Sequence, residues 1–350
     1  MKDIVIVGAG LIGAALAYRL SAAGAKVTIV DMAGPAAGAS GTSFGWINAS
    51  FYKDAEHYRL RAAGIAAHQR LHQILTTGAY TWQPALWYEE QGDALTKMAD
   101  DLRALDYPVS QFDQAQIADL EPNIVAPDAG LCFAAEGVVD AAALTRDLFA
   151  AAQANGARAV LGVTVQAVHR TAGKVTGVTT HQGVIHADQV VVAAGTGAAD
   201  LIGLPMLTRP GLLMKTNALP PVLAHILVSP AGEVKQDAEG RLVMPTAIGH
   251  QADDSTQLAQ TPVLAADAAL ARLQAMIPQH DLCWTEVALA YRPVPQDGLP
   301  VIGAVEPGLY ACVMHSGVTL AAISAEYATQ ELLHGDMVNA LGPYRPTRFD

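Results

Sequence analysis

Residues 2–31 constrain this chain more than any other stretch, because they read as one complete phosphate-binding βαβ unit. Ile4-Val5-Ile6-Val7 is a short apolar run of the kind buried on both faces of a parallel sheet. It leads into Gly8-Ala9-Gly10-Leu11-Ile12-Gly13, a G-x-G-x-x-G turn that opens an Ala/Leu-rich helix ending near Gly24. A second strand, Lys26 to Val30, stops at Asp31, and Met32 directly after it is expected at the nucleotide as well. Gly8 permits the tight turn, Gly10 lets the main chain approach a pyrophosphate, and Gly13 lets helix and strand pack closely. A diphosphate would sit on the helix N-terminus, where N–H groups and the dipole favour negative charge. Asp31 is placed to accept a hydrogen bond from a ribose hydroxyl.

Composition narrows the partners. Charged residues make up 15% and apolar residues 51% of 350 positions, which describes a core-rich globular chain long enough for two domains. A formal charge of −12 argues against nucleic acid or an anionic membrane as partner. Cys132, Cys283 and Cys312 have neither the number nor the spacing of a disulfide frame or a zinc site, and a reducing compartment fits them. No stretch reaches the length of a spanning helix, since Arg19 interrupts the best candidate. With a core strand at the very start and no room for a signal peptide, a soluble cytoplasmic protein is expected.

The order of patterns suggests interleaved domains. Residues 52–76 carry helical spacing in Tyr58, Leu60, Ile65, Leu71, Ile74 and Leu75. Asp140 reads as the N-cap of a helix through Gln153, stopped by Asn155-Gly156. Three short strands are expected at Val160–Val168, Lys174–Thr180 and Val184–His186, before Val190-Val191-Val192-Ala193-Ala194-Gly195 repeats the strand-into-glycine theme. From Thr208 to Trp284 strands at Gly211–Lys215, Ile226–Val228 and Arg241–Met244 precede a helix at Ala265–Met276. The expected architecture is α/β: a Rossmann-like nucleotide-binding domain of residues 1–83, 137–207 and 291–350, with an antiparallel sheet and covering helix from 84–136 and 208–290 as substrate domain. Leu309–Val313 should return as the edge of the first domain. A meander beside the first βαβ unit favours FAD over NAD, although Asp31 keeps an NAD-dependent dehydrogenase open.

Four blocks resemble the D-amino-acid oxidase superfamily of FAD enzymes, above all its glycine oxidase and sarcosine oxidase-like branch. They are the N-terminal fingerprint; Gly38-Ala39-Ser40-Gly41-Thr42-Ser43-Phe44-Gly45-Trp46; Val190–Gly195; and Arg292-Pro293-Val294-Pro295-Gln296-Asp297-Gly298-Leu299-Pro300-Val301-Ile302-Gly303, followed by Leu309-Tyr310 and His315-Ser316-Gly317-Val318-Thr319-Leu320. The resemblance implies FAD-dependent oxidation of a small primary or secondary amino acid to an imine that hydrolyses to an oxo acid, with oxygen or another acceptor taking the electrons. It implies that Arg292 grips the substrate carboxylate and that His315 lies beside the flavin. It also implies that Ser40, Gly41, Thr42 and Ser43 line the diphosphate, ribityl chain or ring edge, and that Val165 meets adenine through its backbone. Gly195 would belong to the same cradle. The first turn of the last helix, Gly317 to Leu320, would aim N–H groups at the flavin N1–C2=O edge.

Residues 292–298 hold no cysteine, and Cys312 lies inside a strand pattern as a buried thiol, so non-covalent FAD is expected. Hydride transfer from a neutral amine needs orientation more than a base. An arginine fork suits that task, unless Asp297 or Glu286 occupies Arg292 instead. Tyr291, its neighbour, is expected in the core. Tyr88, Glu233, Lys235 and His250 are candidate pocket groups, and an inward Lys235 or His250 would fit a second substrate carboxylate. A flavin electron-relay subunit of a larger amine dehydrogenase is the remaining alternative.

Overall fold

The computed structural model describes residues 2–248 and 256–350. The chain divides into two compact units, one of residues 1–80, 139–208 and 291–350, the other of 81–138 and 209–290.

The first unit is built on a six-stranded sheet. Its order is Val301–Glu306, Leu309–Val313, Gln189–Val192, β1 (Asp3–Val7), β2 (Lys26–Asp31) and Arg158–Leu161. All neighbours run parallel except the antiparallel edge Val301–Glu306, and Val5 lies opposite both Thr28 and Val190. Strands of this kind are covered on both faces, which is why they read as continuous apolar runs. α1 (Leu11–Ala22) packs against the helices Ala141–Ala154 and Gly317–His334, and α2 (Ala55–Ile74) packs against Gly317–His334 as well. Asp140 caps its helix by accepting from Ala143 N at 2.9 Å, and Gly156 ends it at φ 94°.

Two expectations about this unit change. Val160–Val168 is not one strand: Gly162 turns left-handed at φ 71°, so Arg158–Leu161 joins the main sheet beside β2. Val165–Thr171 then begins a separate antiparallel meander with Lys174–Thr180 and Gly183–His186. The edge strand is Val301–Glu306, and Leu309–Val313 lies one place inside it.

The second unit carries an eight-stranded sheet whose order begins Trp284–Pro295, Met206–Ala218, Arg241–Pro245, Gly232–Gln236, Ile226–Ser229. Ala85–Trp87, Ala129–Phe133 and Val109–Asp113 complete it. The helix Pro262–Met276, with Thr261 as N-cap and proline in its first turn, lays Ala266, Ala269 and Leu273 on Leu86, Leu227, Val234, Leu242 and Met244. Tyr88 belongs to this core, its hydroxyl 3.2 Å from Met276 Sδ, and is not a pocket residue. No helix among the described residues is long and apolar enough to cross a membrane.

Candidate functional site

The glycine turn between β1 and α1 can be made only from glycine at two of its three positions. Gly8 adopts φ +109° and donates its N–H to Val30 O at 2.8 Å. A Cβ there would stand 2.4 Å from Ala193 O, and a Cβ on Gly13 would stand 1.9 Å from Gly8 O. A Cβ on Gly10 would meet nothing nearer than the Ser40 hydroxyl at 3.2 Å, so at that position the main chain stays open to approach from outside. Gly10 caps α1 without any side-chain bond, and Ser40 Oγ accepts from Leu11 N at 2.9 Å. Ile12 touches the other end of the unit: it is the side chain a Cβ on Gly317 would meet, at 3.7 Å.

Asp31 braces this turn. One carboxylate oxygen accepts from Ala9 N and the other from Ala33 N and Gly34 N, each at 2.8 Å. The Asp31 carbonyl accepts from Val163 N at 3.0 Å, tying the lead-in of Val165 to the end of β2. Met32, next in line, is largely exposed. Gly41 passes so close to Ala36 that a Cβ would stand 2.2 Å from its carbonyl oxygen. Ser43 Oγ accepts from Gly45 N at 3.1 Å, and Thr42 is half-buried beside it.

The last helix presents its N-terminus in the same unit. Leu320 N already bonds Ser316 O at 3.1 Å, so the expected run of outward N–H donors is shortened to Gly317, Val318 and Thr319. Thr319 and Leu320 turn their side chains inward, and Thr319 Oγ1 accepts from Asn48 N at 3.2 Å and donates to Trp46 O. His315 is half-buried between strand and helix.

Three residues of α2, spaced i, i+3 and i+7, hold this turn, and sequence reasoning missed them. Arg61 is 1% exposed and donates to Ser316 Oγ at 2.7 Å and to Asn48 Oδ1. A Cβ on Gly64 would stand 2.5 Å from Thr319 O. His68 is fully buried; its Nε2–H donates to Val318 O at 2.7 Å, and Nδ1 accepts from the Tyr80 hydroxyl at 2.8 Å. Burial pushes the His68 pKa down to about 4, so this tautomer is neutral. The spacing was the available signal, since Arg61 and His68 fall on one helical face.

Arg292 is half-buried on the strand Trp284–Pro295, and a Cβ on Gly195, whose φ is +56°, would lie 3.9 Å from the Pro293 ring. The two carboxylates expected to compete for it have other partners: Arg348 holds Asp297 at 2.6 and 3.0 Å, and Lys215 holds Glu286 at 3.3 Å. Tyr291 is exposed, not core, because the alternation of the strand sends it outward there. In the second unit Lys235 is buried on the sheet face opposite to Val234 and the core, with Glu233 on the same face. His250 lies outside the described residues.

Comparison with known proteins points to one family. A family model described as "DAO: FAD dependent oxidoreductase" matches residues 3–331. One of the opine oxidase subunits of Agrobacterium tumefaciens is 25% identical over 375 residues, covering 99% of this chain and 97% of that protein. Glycine oxidase of Pseudomonas putida is 26% identical over 377 residues, covering 99% and 98%. The bifunctional ThiO/ThiG proteins of Trichormus variabilis and Nostoc are 27% and 25% identical, but the chain spans only 34% and 51% of their length. Among solved structures, glycine oxidase from Bacillus cereus superposes with a TM-score of 0.87 at 22% identity, covering 98% of both chains, a likeness of fold.

Proposed function

The chain belongs to the DAO family of FAD-dependent oxidoreductases, and from that premise we propose that it oxidises a small primary or secondary amino acid to an imine, which water converts to an oxo acid. The reading is carried by Arg292, a half-buried guanidinium whose neighbour Pro293 lies close to the Gly195 turn. The relative named glycine oxidase adds weight to an amino-acid substrate.

Gly10 and the first turn of α1 would hold the FAD diphosphate, with Ser40 at its side. Asp31 Oδ2 accepts one bond from Ala9 and has capacity for a second, from a ribose hydroxyl. Val165 would meet adenine, and Gly41, Thr42 and Ser43 the ribityl chain and ring edge. When bound, FAD supplies the two-electron sink that the amine C–H bond needs. Arg292 orients the carboxylate by two parallel hydrogen bonds, so that the amine carbon is presented in one pose. Gly317, Val318 and Thr319 offer N–H donors where negative charge develops, with His315 beside them. The cofactor is held without a covalent bond in this reading. Cys312 is buried in its strand, with its thiol pushed up to about 12 by burial, and makes a poor nucleophile.

Anaerobic mixing with a panel of amino acids, followed by flavin absorbance, tests the reading. Bleaching by small carboxylate-bearing amines is expected, and acid precipitation should leave all flavin in the supernatant. Failure of every amine in the panel would overturn the substrate class. The opine oxidase relative is named as one subunit of its enzyme, which favours a second reading in which a partner takes the electrons. Turnover by the isolated chain with an artificial dye would remove it.

A further inference from the structure

A helix N-terminus carries partial positive charge, so a buried cation placed behind it opposes the dipole. The last helix has such an arrangement. Arg61 is the largest fully buried side chain of the described residues, and its guanidinium reaches Ser316 Oγ at 2.7 Å. Ser316 is the N-cap of Gly317–His334, a position where serine ordinarily turns its oxygen onto the N–H groups of the first turn. Here it makes no side-chain cap bond, and its oxygen faces the guanidinium instead. The first-turn donors therefore keep their capacity for an outside acceptor, and a full positive charge lies one hydroxyl away from them.

A guanidinium keeps its charge at any working pH, and two of its neighbours are neutral. His57, one turn before Arg61 on α2, has its pKa lowered to about 4 by burial and by the field of Arg61 itself. The second is the amide of Asn48, which accepts from the guanidinium. Gly64 and His68, on the same face of α2, fix the turn against Thr319 O and Val318 O, so helix and cation form one rigid piece. An arrangement that is unfavourable for the empty helix becomes favourable once negative charge stands in front of it.

We propose that Arg61 is a positioning residue that, through Ser316, sets the electron affinity of the bound flavin by adding positive charge behind the Gly317 turn. The proposal rests on the placement of the flavin at that turn, and not on which amine is oxidised.

Sulfite is the probe, because it bleaches a bound flavin without any substrate and binds more tightly when positive charge stands near the ring. The holoenzyme is compared with Arg61→Lys, which keeps the charge, and Arg61→Gln, which removes the charge and keeps a polar amide. Arg61→Gln should bind sulfite at least tenfold more weakly, with a two-electron midpoint potential lower by about 30 mV, the equivalent of tenfold. Arg61→Lys should stay within about threefold of the parent on the scale where tenfold is 1.4 kcal/mol. Equal sulfite affinity and potential in Arg61→Gln and the parent would overturn the proposal, and so would equal losses in Lys and Gln. Should Arg61→Gln not fold, Ser316→Ala breaks the link while sparing the core, and unchanged sulfite binding there overturns the proposal as well. None of these readouts uses an amine. A wrong substrate class would leave them intact, whereas a flavin bound elsewhere would leave all variants alike.

Discussion

Holding a carboxylate in one pose takes two parallel hydrogen bonds, which a guanidinium provides and an ammonium does not. Replacing Arg292 with Lys retains the charge and loses the fork. The apparent KM for carboxylate-bearing amines should rise about tenfold to a hundredfold, while the ratio of flavin to protein absorbance stays constant. Steady-state kinetics beside the absorbance ratio check both halves, and an unchanged KM would make the arginine structural. Single residues were legible in the sequence where their demands are local. Gly8 and Gly13 are fixed by a turn within six residues, and the structure gives each a collision that only glycine avoids. Arg61 and His68 were not legible, because a charged or polar residue on a helix reads as a solvent face until its partner, 255 or 250 residues away, is known. Tyr88 misled for the opposite reason: a phenol suggests a pocket, but its ring is core and its hydroxyl ends on a thioether.

Between elements, one close approach that matters to the site is α2 against the last helix. Gly64 lets the two backbones meet where a Cβ would stand 2.5 Å from Thr319 O. Gly64→Ala should therefore lower stability by about 1–3 kcal/mol through overpacking. On an exposed helix face the same change would raise it by roughly 1 kcal/mol. The two signs are opposite, so a thermal melt decides; a raised Tm would mean the helices do not lie that close. Elements with strong punctuation were readable in advance, such as the helix opened by Asp140 and closed by Gly156. Gly232–Gln236 was missed as a strand because Glu233, Lys235 and Gln236 break the apolar alternation that marks one. The join at Gly162 was missed because residues on both sides of it have strand character, and only sheet membership separates them.

Across the molecule, buried histidines set the pH range of stability. His57 and His68 in the first unit are held neutral, with pKa values lowered to about 4, by burial and, for His57, the charge of Arg61. Their stabilisation is complete above the unfolded value of 6.5 and declines as pH falls below it, about 2 kcal/mol per histidine between pH 7 and 5. His225 in the second unit behaves oppositely. Hydrogen bonds with the Cys132 thiol and the Glu121 carboxylate raise it to about 9, so its contribution is full below 6.5 and is lost as pH rises through 9, up to roughly 3 kcal/mol. Denaturant midpoints measured from pH 5 to 9 should peak near neutrality, with His68→Gln flattening the acid arm and His225→Gln the alkaline arm. A level profile would show that these rings are not buried as described. The edge of the first sheet could not be read in advance, since Val301–Glu306 and Leu309–Val313 carry the same apolar signature.

That sheet order has a consequence for biogenesis. β1 is translated well before its sheet neighbour Gln189–Val192, which in turn pairs with Leu309–Val313. A growing polypeptide thus carries an incomplete platform until Leu309–Val313 has been made, with the apolar rim of Gln189–Val192 waiting for a neighbour that emerges more than a hundred residues later. Nascent chains stalled before Leu309–Val313 emerges leave that rim unpaired and are the ones most in need of a chaperone.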